Sequence, residues 1–326
     1  IKKILKNIIY APLLIPHLKT LQRHKNNYEE FSQKYLITSN EDLNDNYNLN
    51  NIYEKYDEFI AGSDQIWNIT ISDYNDIYFL PFEENEKNKI AYAPSFGAKN
   101  ISKYSDNIEK FKTFINNFNY LSAREFNGKK WIKELTNRDA EVVLDPTLLL
   151  EVDEYKKIES DANIDGEYIF YYSPTFDRKL DKFVKKVANK YKMKVITWSS
   201  KNYYIKCEWK NGFKMAYNQS PDVYLNLIHN AKLVITTSFH GTIFSSLYRK
   251  KFWILKNGGM YGDDDRVLTL IKQLRLEDRL IKPNYDKNFD YLKDVIYNNY
   301  ELELNKLKNK SYNFLKNALL DGDKNG

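Results

Sequence analysis

Short apolar runs, mostly β-branched or aromatic, alternate along this chain with stretches in which apolar side chains recur every three or four positions. The first pattern predicts strands and the second helices. A helical pattern over 18–34 leads into the Asn-rich stretch 40–51. Strands are then predicted at 58–61, 89–93, 120–123 and 141–144, with helices at 105–117 and 127–135. In the helix at 105–117, Ile108, Phe111, Phe114 and Ile115 share one face. A break falls near Asp145-Pro146, and the polar stretch 151–166 opens a second series. It predicts strands at 168–172, 194–198, 233–237 and 252–255, and helices at 177–191, 220–230, 241–248 and 266–274. Ser220-Pro221-Asp222 combines a cap residue, a proline at the first helical position and a first-turn acid. The lysine-rich stretch from 286 predicts two helices, the last returning to the first domain. Alternation of this kind implies α/β architecture: two Rossmann-like, doubly wound domains, 1–150 and 151–326, with an interdomain cleft. In such folds ligands sit at the carboxyl ends of strands, so the loops there matter most.

A length of 326 residues suits two domains, and 42% apolar residues suffice for two cores. The single cysteine, Cys207, rules out an intrachain disulfide and fits a reducing compartment. His17, His24, His229 and His240 form no close cluster with it, so no structural zinc is expected. The net charge of +6 is spread over lysines interleaved with acids. That predicts a mild preference for anionic ligands and no nucleic-acid partner, which would call for a basic patch or arm. No run approaches the ~20 apolar residues of a membrane span. Lys2 and Lys3 precede an apolar stretch at 8–16, but Pro12 and Pro16 interrupt it and no small-residue cleavage site follows. We read it as a connecting helix on the first domain; an amphipathic membrane contact is the alternative. The chain opens on Ile, so an upstream piece is expected.

Five strand-end loops carry candidate chemistry. In 233–242 a β-branched strand ends in Thr236, Thr237 and Ser238, followed by Phe239, His240, Gly241 and Thr242 and then a helix. Strand, polar turn, glycine and helix aim backbone N–H groups and a helix dipole at an anion. His240 adds a group suited to acid–base work near neutral pH. The plainer alternative is a Ser238 cap and a buried histidine. In 59–68, Gly62, Ser63, Asp64, Gln65 and Asn68 offer hydroxyl-binding groups, and Trp67 a flat face for a sugar ring. An Asx-type turn with a core tryptophan accounts for the same residues. The third loop holds Ser95, Phe96 and Gly97. In the fourth, Arg124 is placed to clamp a carboxylate or phosphate, or to pair with Glu125. The fifth, Asp145-Pro146-Thr147, reads as a domain-boundary turn. Asp263-Asp264-Asp265 has the Asp-x-Asp spacing of some metal-dependent glycosyltransferases, but its place before a helix favours a cap.

In order along the chain, Ala61 to Asn68, Ser95-Phe96-Gly97, Ser122-Ala123-Arg124-Glu125, Val143 to Leu149 and Ser238-Phe239-His240-Gly241-Thr242 resemble the polysaccharide pyruvyl transferase family. The resemblance spans about Tyr56 to Leu280. It implies a GT-B-like fold and transfer of pyruvate from phosphoenolpyruvate to a sugar of a cell-surface polysaccharide or its lipid-linked precursor, forming a ketal. It implies catalytic roles for His240 and Arg124 and donor binding by Thr237, Ser238, Gly241, Thr242 and Arg266. Acceptor binding would fall to Gly62, Ser63, Asp64, Gln65, Trp67, Asn68, Ser95, Phe96 and Gly97. No metal or cofactor is implied, and the place of action would be the cytoplasm, at or near the inner membrane face. The family's opening strand with an Asn-x-Gly loop is not found, and Ser238 stands where relatives often carry a basic residue. A nucleotide-sugar glycosyltransferase and an inactive glycan-binding protein are the alternatives.

Overall fold

Parallel strands buried on both faces read as unbroken apolar runs. The strands here build two all-parallel sheets, with such runs clearest in the second. The structure is a computed structural model that describes residues 10–39, 50–82, 87–258 and 264–322. The chain divides into two compact units.

The first-sheet unit comprises Ser39–Leu150, Asp264–Leu276 and Tyr297–Gly326. Its strands are β1 (Glu58–Ala61), β2 (Asn88–Ala91), β3 (Tyr120–Ala123) and β4 (Glu141–Val142), paired in that order. Two helices, α2 (Ile108–Asn116) and α3 (Phe126–Thr136), pack on the sheet, and Trp67, Phe79, Phe96, Phe111, Ile115 and Phe118 fill the core between. The long C-terminal helix, Tyr300–Gly322, covers another part of the sheet through Phe314 and Ala318, which pack with Ile90, Tyr92 and Val143. Ser311 Oγ there accepts the Leu144 N–H at 2.9 Å. The predicted pair of C-terminal helices is a single helix, and turns occupy much of 282–299.

The second-sheet unit comprises Ile1–Thr38, Glu151–Asp263 and Glu277–Ile296. Its strands are β5 (Tyr168–Tyr172), β6 (Lys194–Thr197), β7 (Lys214–Met215), β8 (Leu233–Thr236), β9 (Phe252–Leu255) and β10 (Leu280–Ile281). They lie in the order β10-β9-β8-β5-β6-β7. Counted from β5 this is 3-2-1-4-5-6, the dinucleotide-fold order, whose direction reverses between its first and fourth strands. The reversal therefore falls between β5 and β8, which pair from Ile169–Leu233 to Tyr172–Thr236. Helix α4 (Arg178–Tyr191) is capped by Asp177, which accepts the Lys179 N–H at 2.8 Å, and buries Leu180, Phe183, Val184 and Val187. α5 (Ser200–Lys206), α6 (Pro221–Asn230) and α7 (Phe239–Leu247) follow β6, β7 and β8.

The N-terminal helix α1 (Leu18–Tyr35) corrects one expectation. Residues 10–38 belong with the second sheet and not with 58–150. His24 is the reason: it is buried, with Nδ1 2.6 Å from Ser200 Oγ and Nε2 2.9 Å from the Tyr217 carbonyl. Burial lowers the His24 pKa, so the ring is held as a neutral structural peg. Among the described residues no helix is long and apolar enough to cross a membrane.

Candidate functional site

The segment after β8 is built by its own hydroxyls. Thr236 Oγ donates to the Tyr172 carbonyl at 2.7 Å and accepts the Ser238 N–H at 2.9 Å, folding the strand end back on itself. Ser238 caps α7, its Oγ accepting the Gly241 N–H at 3.2 Å, and Thr242 Oγ donates to the Ser238 carbonyl at 3.0 Å. Helix α7 starts at Phe239, so His240 stands in its first turn and not in the preceding loop. Gly241 is buried against the strand: a Cβ there would run into the Thr236 hydroxyl and lie 3.1 Å from Thr236 Cβ. Absence of a side chain thus lets the helix start sit on the strand end. Phe239, Gly241 and Thr242 are buried, whereas the His240 side chain is half-buried at the surface of this turn. The cap reading of Ser238 is therefore met, whereas His240 is half-buried and not the buried histidine of the plainer alternative.

This turn lies at the strand-order reversal. Thr237 N–H donates to the Tyr172 carbonyl at 3.1 Å, and Thr237 Oγ is 2.9 Å from Ser173 Oγ, which follows β5. Sequence reading overlooked Ser173. Its only signal is that it ends the strand next to β8, and pairing order is not visible along the chain.

In the first-sheet unit the strand-end loops form one network. Arg124, past β3, is the hub. Nη1 donates to Asp145 Oδ2 at 2.7 Å and Nη2 to Asp64 Oδ1 at 3.1 Å. Its side chain is only 1% exposed, as is that of Asp145. The expected clamp on a donor carboxylate or phosphate is thus occupied by two carboxylates of the chain itself. Asp145, expected only to mark a boundary turn, accepts from Thr147 N–H at 3.0 Å and Thr147 Oγ at 2.6 Å as well. Ser63 Oγ donates to the Ala93 carbonyl at 2.7 Å.

The predicted acceptor residues separate into two groups. Gly62 and Asp64 are exposed, and Ser63, Gln65 and Gly97 are half-buried. Trp67, Asn68, Ser95 and Phe96 are buried. Trp67 corrects the sugar-platform expectation: it is 0% exposed, stacked on Phe79 at 5.1 Å, with Phe96 and Phe118 at its edges. Its Nε1–H donates to the Tyr78 carbonyl at 3.2 Å, which satisfies the indole inside the core. Asn68 serves the loop, donating to Gln65 Oε1 at 3.1 Å and accepting from Thr70 Oγ at 2.7 Å. A Cβ on Gly97 would strike the side chains of Asn68 and Gln65, so glycine is what lets these loops meet.

Glu125 locks Ser95 and Phe96. Its Oε1 accepts Ser95 Oγ–H and Phe96 N–H, both at 2.9 Å. Burial raises its carboxyl to about 7, opposed by the charge of Arg124 and by these two bonds. Between the ordinary value of 4.5 and about 7 the folded chain holds a proton that the unfolded chain releases. Stability from this group therefore falls as pH rises through that window, by roughly 3 kcal/mol at most. Glu125→Gln is expected to lose less stability than wild type between pH 5 and pH 8 in urea denaturation. Parallel pH profiles for the two proteins would show that Glu125 ionises without penalty.

Arg266 also departs from expectation. It belongs to the first-sheet unit, on α8 (Asp265–Gln273), and not to the unit that holds His240. Its guanidinium pairs with Asp264, whose carboxylate caps α8 by accepting the Arg266 N–H at 3.1 Å and the Val267 N–H at 3.3 Å. Asp265 accepts the Asn127 N–H at 2.9 Å. The capping reading of this acidic run therefore holds for Asp264, while Asp263 lies outside the described residues. Among the described residues no group of His, Cys, Asp and Glu is placed to hold a metal ion.

Fold and site together define an α/β protein with two parallel sheets and a histidine-bearing helix start at the reversal point of the second. The model of the polysaccharide pyruvyl transferase family matches residues 1–259, and the chain belongs to that family. No curated protein matches the chain. Among solved structures, one named for a UDP-N-acetylglucosamine 2-epimerase from Listeria monocytogenes is similar at 11% identity with a TM-score of 0.47, covering 93% of this chain and 91% of that one.

Proposed function

We propose that the enzyme takes phosphoenolpyruvate as donor and forms a pyruvate ketal on a glycan, with the donor bound at the start of α7. The carrying observation is the place of 236–242 at the β5/β8 reversal, where folds of this order bind anionic ligands. In this scheme the first turn of α7 faces the donor phosphate or carboxylate, aided by the Ser238 hydroxyl. His240 delivers a proton to the donor methylene, making the central carbon electrophilic. One acceptor hydroxyl adds there, and its proton restores His240. A second adds as the C–O bond to phosphate breaks, and its proton leaves with the phosphate. One donor and one diol thus give one ketal and one phosphate, with no metal or cofactor needed. Gly62, Ser63, Asp64 and Gln65 are the acceptor-binding candidates, because they are the exposed or half-buried members of their loop.

We further propose a cytoplasmic reaction on a cell-surface polysaccharide or its lipid-linked precursor, a reading that the lone cysteine supports. The test is phosphate release from phosphoenolpyruvate across a panel of glycan acceptors, with thermal shift against phosphoenolpyruvate, UDP and GDP. Release that requires an acceptor supports the reading. Stabilisation by a nucleotide and not by phosphoenolpyruvate would overturn it in favour of a nucleotide-sugar donor.

A further inference from the structure

Helix α1 and the edge strand β7 enclose an open groove of about 740 Å³, all within the second-sheet unit. That volume is in the range of small-molecule sites. Its lining is unusual for a protein surface. Trp209 is 39% and Tyr217 69% exposed, and the His17 ring stacks on Tyr204 at 3.8 Å. Solvent-facing aromatic rings gathered in one groove are the signature of a surface that exchanges water for a ligand.

The charged groups, Arg23 and Lys214, are of one sign. The Arg23 guanidinium lies 3.6 Å from the centroid of the Tyr217 ring, and its Nε–H donates to the Tyr217 carbonyl at 3.2 Å. Stacking and this bond fix the guanidinium plane while its two Nη groups have no protein acceptor among the described residues. Lys214 extends from the edge strand and forms no ion pair among the described residues. Among the described residues no Asp or Glu lines the groove. A fixed fork of N–H donors matches a carboxylate bidentately.

We propose that this groove binds an acidic sugar residue of the glycan acceptor. The apolar C–H face of a pyranose ring lies on Trp209 and Tyr217, and its carboxylate meets the Arg23 Nη groups with Lys214 close by. The identity of the occupant as a glycan rests on the acceptor reading above; its acidity rests on the groove. Position supports the pairing. All strands of the sheet run the same way, so Tyr217, beyond β7, and Ser238, beyond β8, both lie past the carboxyl ends of their strands. Three strand spacings separate them, roughly 14 Å, a distance that one oligosaccharide can bridge.

Calorimetric titration without any donor tests this. The probes are a glucuronate-containing tetrasaccharide, its carboxyl-reduced counterpart and UDP. Wild type is expected to bind the acidic probe at least tenfold more tightly than the reduced one. Arg23→Gln should remove that preference, Trp209→Ala should weaken both sugars, and Lys214→Gln should give a smaller loss of the preference. All three side chains are at the surface, so melting temperatures should stay within a few degrees of wild type. Absent or equal binding of the two sugars, tighter binding of UDP, or unchanged binding in the variants overturns the proposal. Phosphate release is read separately: sugar binding without turnover of phosphoenolpyruvate refutes the donor and leaves the groove standing, and turnover without acidic-sugar preference does the reverse.

Discussion

His240→Ala is expected to slow phosphate release from phosphoenolpyruvate by about 10²–10⁴-fold while leaving the fold intact. The magnitude is that of losing a positioned proton donor, about 3–5 kcal/mol of barrier. The expectation of an intact fold comes from the site. The His240 side chain is half-buried, whereas the helix start is held by Ser238, Thr242 and the close packing of Gly241 on Thr236. None of those contacts uses the imidazole. The change should therefore appear in kcat and not in the melting temperature. His240→Gln, which keeps hydrogen bonding but transfers no proton near neutral pH, should be nearly as slow. A rate within a few-fold of wild type in either variant would remove His240 from the reaction. A slow rate accompanied by a drop of many degrees in melting temperature would point instead to a packing role.

The same turn shows what local sequence discloses. Leu233–Thr236 and Phe252–Leu255 were legible as strands because burial on both faces demands unbroken apolar runs. The start of α7 was placed two residues late because glycine is a poor helix former, and Gly241 was read as the end of the loop. It is inside the helix because the Thr236 hydroxyl leaves no room for a Cβ, a contact between elements that no propensity records. The edge strands Lys214–Met215 and Leu280–Ile281 have two residues each, too few to show a period. Trp67 misled for a different reason. It follows a polar run, and Phe79, Phe96 and Phe118, all further along the chain, turn that position into core. The partner of α1 was equally hidden, since His24 meets Ser200 and Tyr217 across more than 170 residues. Motif order was readable throughout, but which motifs share a unit depended on where 264–276 and 10–38 return.

Arg124 yields the largest stability prediction, and it reverses the expected role. Removing one partner of a buried ion pair leaves an uncompensated charge, which typically destabilises by about 3–5 kcal/mol. Arg124 and Asp145 fit that case, with both side chains 1% exposed and 2.7 Å apart. The Asp64 arm adds little, because that carboxylate is 62% exposed and screened by solvent. Arg124→Met should therefore approach the full loss, read as a lower urea midpoint of the first-sheet unit. Asp145→Asn keeps Oδ1 as acceptor for Thr147 N–H and Oγ, but removes the charge and replaces Oδ2, which accepts from Arg124, with an NH2 group that cannot. Combining the two should cost less than the sum of the single changes, with a coupling of about 1–3 kcal/mol. A catalytic clamp makes the opposite forecast: Arg124→Met would fold with near wild-type stability, lose activity, and show no coupling to Asp145. The buried geometry favours the first outcome, in which Arg124 ties the Asp64 loop to the segments that follow β3 and β4.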